Sequence, residues 1–512
     1  MGAQKWLVRL GVVGFMAILI GLGLVWSRMA ERFPERITMS VQAGESQQLK
    51  VGFSEVEVAL PAFDPMMDTN NNGRYDAGEP YQDLNNNGRL DPLYLAGFSH
   101  NRPASGVLDK IKVTAMVVED GAIKVGFVVA DVIGLFRDEV MGLRQELEGI
   151  DGAPDYLMMA ATHTHSAPDV IGLWGQDQLA SGVHPEFLNN LRGSLKQALM
   201  EASNSLEPAV LRFGVDHGFS AAFIEDVRDP QVVDSHVTVM RAVAVAGGRT
   251  LGHLINWAVH PEALESHNMM VSSDYVHHVR EAMGEGVTLF VNGAVGGLMT
   301  VSDSFPITSL VDGKTYLSPD LGKIRALGES VAVIAQKALE SPSSMEVKKA
   351  AFALEVDSFG LPIDNSGFKA LMAAGVLDRG LMGFGSEILT EVAAISLGPA
   401  RFLTAPGEVN PEVFVGGVTT PEGADFPERV IEAPPLRQFM GGRYQFVLGL
   451  TNGFLGYFIP KSHWDSKPPY LGGKTRPPYG EVVSLGPDAA ATYYHKARQL
   501  LEKLDRGANE VP

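Results

Sequence analysis

The chain is predicted to fold as one α/β domain in which mixed central β-sheets are flanked by helices. Three observations point there. Apolar runs of strand length alternate with segments of helical periodicity through most of the 512 residues. No long linker divides positions 45–505, and nothing repeats apart from a short Asn/Gly-rich tandem near the start. Hydrophobic and charged fractions of 45% and 20% belong to an ordinary globular protein, long enough to bury a sizeable core.

In chain order, residues 111–118 and 123–132 read as adjacent strands, rich in β-branched residues and joined by the polar turn Glu119-Asp120-Gly121-Ala122. Residues 138–148 have helical periodicity, and 155–159 form a short buried strand. Pro185 opens a helix over 185–203, where its missing N–H costs nothing. Strands follow at 210–215, 237–245 and 251–259. A further buried run, 287–291, leads into Asn292-Gly293-Ala294-Val295-Gly296-Gly297. Residues 321–340 make an amphipathic helix, and Gly486-Pro487 opens a terminal one over 488–504.

Composition excludes several functions. The formal charge of −19 comes from 41 basic and 60 acidic side chains, and no Lys/Arg cluster offsets it. Such a surface repels phosphate backbones, which argues against nucleic-acid binding. With no cysteine, the chain has no disulfides, thiolate metal sites or cysteine nucleophiles. Any metal must be held by His, Asp, Glu, Tyr or backbone oxygen.

Lys5 and Arg9 precede an uncharged stretch from Leu10 to Trp26, and Arg28, Arg32 and Arg36 follow it. With residues 6–8 included, its length reaches the lower limit for a membrane span. Trp6 and Trp26 suit the two interfaces, and no small-x-small cleavage site follows. Residues 1–40 are therefore expected to be an uncleaved signal anchor and stalk. That anchor places a single domain over 45–505 at the membrane, outside the cytoplasm.

Residues 68–79 match a twelve-position calcium loop. Asp68, Asn70 and Asn72 take positions 1, 3 and 5, and Gly73 takes the sharp turn. The Arg74 carbonyl takes position 7, Asp76 position 9, and Glu79 the bidentate position 12. The next run repeats the pattern with Asp83, Asn85, Asn87 and Asp91, but Tyr94 stands where the glutamate belongs. A possible second calcium there is weaker or shares ligands with the first. Pro61, Pro65, Pro80 and Pro92 crowd the flanks, so residues 64–94 read as a calcium-stapled insertion rather than a helix-loop-helix sensor.

The strand at 155–159 runs into His163-Thr164-His165. Residues i and i+2 of a strand share a face, so two imidazoles are expected to project together from a strand end, where α/β sheets keep their sites. That pair suits zinc. His260 after the strand 251–259, Glu408 in Pro406-Gly407-Glu408, and Tyr457 after 446–450 are further metal-competent residues just past strands.

The ordered set resembles the neutral/alkaline (non-lysosomal) ceramidases. It comprises His163-Thr-His165-Ser-x-Pro168, Asn256-x-Ala-Val-His260, Ser272-x-Asp274, Asn292-Gly-Ala-x-Gly296, Pro406-Gly-Glu408 and Gly449-Leu-x-Asn452-x-x-x-x-Tyr457, over roughly positions 50–500. The resemblance implies one zinc held by His163, His260, Glu408 and Tyr457, with His165 working beside it as proton carrier. It also implies that Tyr457 assists at the carbonyl and that Asp274 supports the ligands. Leu173, Trp174 and Phe187 become candidates for an acyl groove. Three positions depart from the family pattern. Met299 stands where a serine is expected, Gly297 where an aspartate is, and Phe454 where a first tyrosine is. Activated water is then the nucleophile, and the expected reaction is zinc-dependent hydrolysis of a lipid amide. The alternatives are an esterase on the same fold or an inactive exported scaffold. Retention of all five site residues favours an enzyme.

Overall fold

The alternating segments assemble into two facing sheets in a computed structural model of the chain, which describes Gly23 and residues 26–228, 230–299, 305–427 and 430–509. The labels used are β1 Thr38–Val41, β2 Lys50–Glu57, β3 Lys112–Glu119, β4 Lys124–Ala130 and β5 Tyr156–Ala161. They continue with β6 Glu207–Asp216, β7 Val237–Ala244, β8 Thr250–Trp257 and β9 Val287–Asn292. The second half holds β10 Phe352–Pro362, β11 Glu387–Leu397, β12 Ala400–Thr404 and β13 Tyr444–Leu448. The main helices are α1 Arg137–Leu147, α2 Pro185–Asn204, α3 Tyr275–Met283, α4 Leu321–Glu340, α5 Ser366–Ala374 and α6 Ala489–Asn509.

The larger sheet runs β9-β8-β7-β6-β2-β3-β4-β5, with Met345–Val347 added beside β6, and the smaller runs β1-β10-β11-β12-β13. Both are mixed: β4·β5, β8·β9 and β12·β13 are parallel, and the other labelled neighbours antiparallel. Their inner faces share one apolar layer, in which Phe127, Phe213 and Leu289 of the first sheet meet Leu354, Ile395 and Phe446 of the second. Helices α2 and α4 cover the outer face of the large sheet, and α6 covers the small one. A strand buried on both sides must be apolar at every position, which is why β4 and β5 lack alternation.

Predicted segments and observed elements agree closely, down to the bounds of α4. Residues 58–105 contain no helix, in keeping with their prolines. Residues 29–41 lie against the body, with β1 paired to β10. Among the described residues no helix is long and apolar enough to cross a membrane. Most of the candidate anchor, residues 6–26, lies outside the described residues.

Candidate active site

Several strands of the two sheets end at one place, and three asparagines fix how. Asn256 of β8 donates to the carbonyls of Val291 in β9 and Val447 in β13, and accepts from the Val447 amide. Asn292, closing β9, donates to the Thr162 carbonyl at 2.6 Å. Asn452 accepts from the Met159 amide of β5 and donates to Glu391 and Tyr156. Buried amides of this kind define strand ends sharply because an unpaired one is costly.

The His163/His165 pair differs from expectation. Strand β5 stops at Ala161, so neither histidine belongs to it, and His163 adopts φ 69°. This left-handed region is uncommon for a non-glycine residue. The turn is held by the bond from the His163 amide to Val132 O, by the His165 amide to Pro261 O, and by Thr164 Oγ1 to Ser272 O. The outcome is not two rings on one strand face but two rings nearly perpendicular, 5.1 Å apart. Gly97 is required here: at φ 112°, a Cβ on it would press on the His165 side chain at 2.7 Å.

His163 Nδ1 lies 2.5 Å from the Ile133 carbonyl, which as acceptor fixes the proton on Nδ1 and leaves Nε2 for the interior. That Nε2 is buried without an aligned hydrogen-bond partner among the described residues, as is His165 Nε2. His260 completes the cluster. Ligand atoms of His163, His165 and His260 all lie within 4.8 Å of one another, a group able to hold a metal ion. Glu408 Oε2 stands 3.3 Å from His163 Nε2 and 3.1 Å from His260 Nε2. Glu408 and Tyr457 are direct partners in a short parallel bridge, Glu408–Val409 against Tyr457–Phe458, which sets the phenol beside the carboxylate. All five residues singled out from the sequence thus converge.

Electrostatics follow from burial. Burial opposes charge on Glu408, but His163 and His260 hold it well below the usual carboxylate range. Burial pushes His165 down to about 4 against the pull of Glu262, whose Oε2 lies 3.0 Å from His165 Nδ1. Burial and then Glu408 raise the Tyr457 phenol well above its ordinary value. Sequence reasoning missed Glu262; its only signal was its place in His260-Pro261-Glu262. Asp274 caps α3 and accepts from the Leu264 and Tyr275 amides, which fastens the loop carrying His260 and Glu262. Burial pushes its carboxyl up to about 7.

Two of the departures, Phe454 and Gly297, have structural reasons, while the Met299 side chain lies outside the described ones. Phe454 packs on the His163 ring with centroids 5.7 Å apart. Gly297 has φ 84°, and a Cβ there would collide with Arg228 Nε, so the aspartate's place is filled by another residue's guanidinium. Arg228 is in turn held by Asp226 (2.8 Å) and Glu412 (3.0 Å). A cavity of 1240 Å³ opens from the cluster, walled by Phe98, Phe136, Leu173, Trp174, Phe368 and Met372. Phe187, the other groove candidate, is a fully buried core residue instead.

In the insertion, Asp68 accepts from the Gly73 amide, and Glu79 accepts from the amides of Thr69 and Asp76, positions 2 and 9. In the second loop Asp64, from before the first loop, does the same work. Its two oxygens accept from Leu84 and Asp91, again positions 2 and 9. Asn70 and Asn72 contact Asp76, as Asn85 and Asn87 contact Asp91.

No protein-family model and no curated protein matches the chain. Its fold is similar to solved ceramidases. One is the neutral ceramidase of Pseudomonas aeruginosa, with TM-score 0.61 and 15% identity over 90% of this chain and 75% of that one. Another is a ceramidase solved in complex with C2, with TM-score 0.61 and 14% identity over 90% and 76%. The resemblance read from the ordered motifs is therefore carried by the fold.

Proposed function

We propose that this chain is a zinc-dependent hydrolase of linear amides that acts on a lipid amide by activated water. One observation carries the reading: buried imidazole nitrogens without aligned partners, grouped with a carboxylate at one end of a large, apolar-walled cavity. His163, His260, Glu408 and Tyr457 are the residues that would hold the metal. When bound, zinc supplies a Lewis acid and brings the pKa of a water down to about 7. The similar solved structures are ceramidases, which supports a lipid amide as substrate.

The chain's own residues have separable roles. His165, neutral at pH 7 because of burial, takes the proton of the attacking water, and Glu262 orients the ring and steadies the imidazolium. The same proton then goes to the leaving amine. The Tyr457 hydroxyl, beside Glu408, is the donor for the developing oxyanion. Phe98, Trp174 and Phe454 keep water from the reacting bond and receive the acyl chain. Two calcium ions staple the insertion, one under Glu79 and one under Asp64. Residues 10–26 anchor the chain in a membrane, with the domain outside the cytoplasm.

The test combines metal analysis of purified wild type and His163→Ala with amine release from a panel of N-acyl amides and matching esters. One bound zinc and amide cleavage in wild type, both lost in His163→Ala, are expected. Preference for the esters reassigns the site to an esterase. A zinc-loaded protein that cleaves neither makes it a binding relative.

A further inference from the structure

The uncharged stretch 10–26 precedes a segment fastened to the body almost at once. The Leu381 amide donates to Met29 O at 2.6 Å, and the Glu31 amide donates to Leu381 O. The Glu31 carboxylate, only 1% exposed, lies 2.6 Å from buried Arg379, and Arg137 donates to the carbonyls of Phe33 and Glu35. Arg32 reaches Asp138 and Asp378. Three helical steps separate Trp26 from Met29, about 5 Å along an axis. There is no slack, so the part of the body around Leu381 must lie at whatever surface the stretch 10–26 enters.

That part of the body is the wall of the catalytic cavity. Arg28 sits in a hollow with Met372, Gly375, Leu377 and Asp378, and Met372 and Leu377 also line the cavity itself. Met372 belongs to α5, in which Lys369 is the sole charge and the exposed positions are Ser366, Gly367, Ala370 and Ala374. Across the rim, Tyr479 and Val482 line the cavity yet are 66% and 54% exposed. Asn365, the cap of α5, donates to the Val482 and Ser484 carbonyls and joins the two lips. The rim, where exposed Tyr479 and Val482 stand among Lys474, Arg476 and Glu481, and the end of the apolar stretch are thus on one side of the molecule.

We infer that the lips formed by α5 and residues 479–483 lie on the lipid surface that residues 10–26 enter, so that a lipid amide passes from the leaflet into the cavity without crossing water. The identity of the passenger rests on the hydrolase reading; the contact with lipid does not.

The chain has no cysteine, so single sites can be labelled cleanly. Full-length Ala370→Cys and Ala374→Cys, carrying a fluorophore, are reconstituted into phosphatidylcholine vesicles containing a lipid with a nitroxide headgroup. Asp312→Cys, on the hairpin that packs on α4 across the large sheet, is the reference. Quenching at 370 and 374 several-fold stronger than at 312 is expected. Equal quenching, failure of the chain to float with vesicles, or disulfides between copies of the unlabelled Ala370→Cys protein would each overturn the inference. Cleavage of a short-chain, water-soluble amide by the same variants reports on the hydrolase reading separately.

Discussion

A histidine at φ 69° costs on the order of 1–3 kcal/mol, and the bonds around Thr162–His165 hold it there. Other single residues at the site are equally determined by their neighbours. Gly297→Asp would restore the residue expected from the family pattern, but its Cβ meets Arg228. A loss of about 2 kcal/mol or more is expected in chemical denaturation, and an unchanged midpoint would show that Arg228 moves aside freely. Asp274 allows a pH test. Its folded carboxyl titrates at about 7 against an ordinary value near 4, so the native state holds a proton that the unfolded chain releases. Its stabilising share is full below pH 4 and fades as pH rises through 7. Asp274→Asn keeps one acceptor oxygen, enough for only one of the Leu264 and Tyr275 amides, at a cost that does not change with pH, and it removes that slope, which is at most about 1.4 kcal/mol per pH unit. Melting temperatures of variant minus wild type should therefore increase from pH 5 to pH 8, and a flat difference would reject the assignment.

Between residues and fold lie the elements that present them. The turn 451–457 delivers Tyr457 to Glu408 because Asn452 pins it to β5, Tyr156 and Glu391. Asn452→Ala leaves a buried amide and carboxylate short of partners, which costs about 1–3 kcal/mol for each, and catalytic turnover should fall with it as Tyr457 loses its register. The insertion is the second such element. Asp64 closes its second loop as Glu79 closes the first, so calorimetric titration should find two calcium ions per chain, with one remaining in Asp64→Ala and the other in Glu79→Ala. Two ions retained in Asp64→Ala would exclude it as a ligand.

For the molecule as a whole, what the sequence revealed depended on distance along the chain. Strands and helices were legible because their periodicity is local, and the five site residues because each follows an apolar strand in a recognisable order. Pairing of strands into two facing sheets was not, since β10 to β13 join β1 across more than 300 residues. Glu262, Arg228 and Asp64 escaped for the same reason: each acts on a residue that only tertiary structure brings near. The i, i+2 reading of His163 and His165 failed because β5 stops at Ala161, short of both histidines, where Asn292 captures Thr162. The central claim is that these converging side chains hold one metal that the reaction requires. The most direct measurement is hydrolysis of a long-chain N-acyl amide by metal-free protein titrated with zinc, beside Glu408→Gln. Activity that rises to a plateau at one equivalent in wild type, and at least a hundredfold lower plateau in Glu408→Gln, is the predicted result. Full activity in the metal-free protein, or none at any zinc level, would contradict the account.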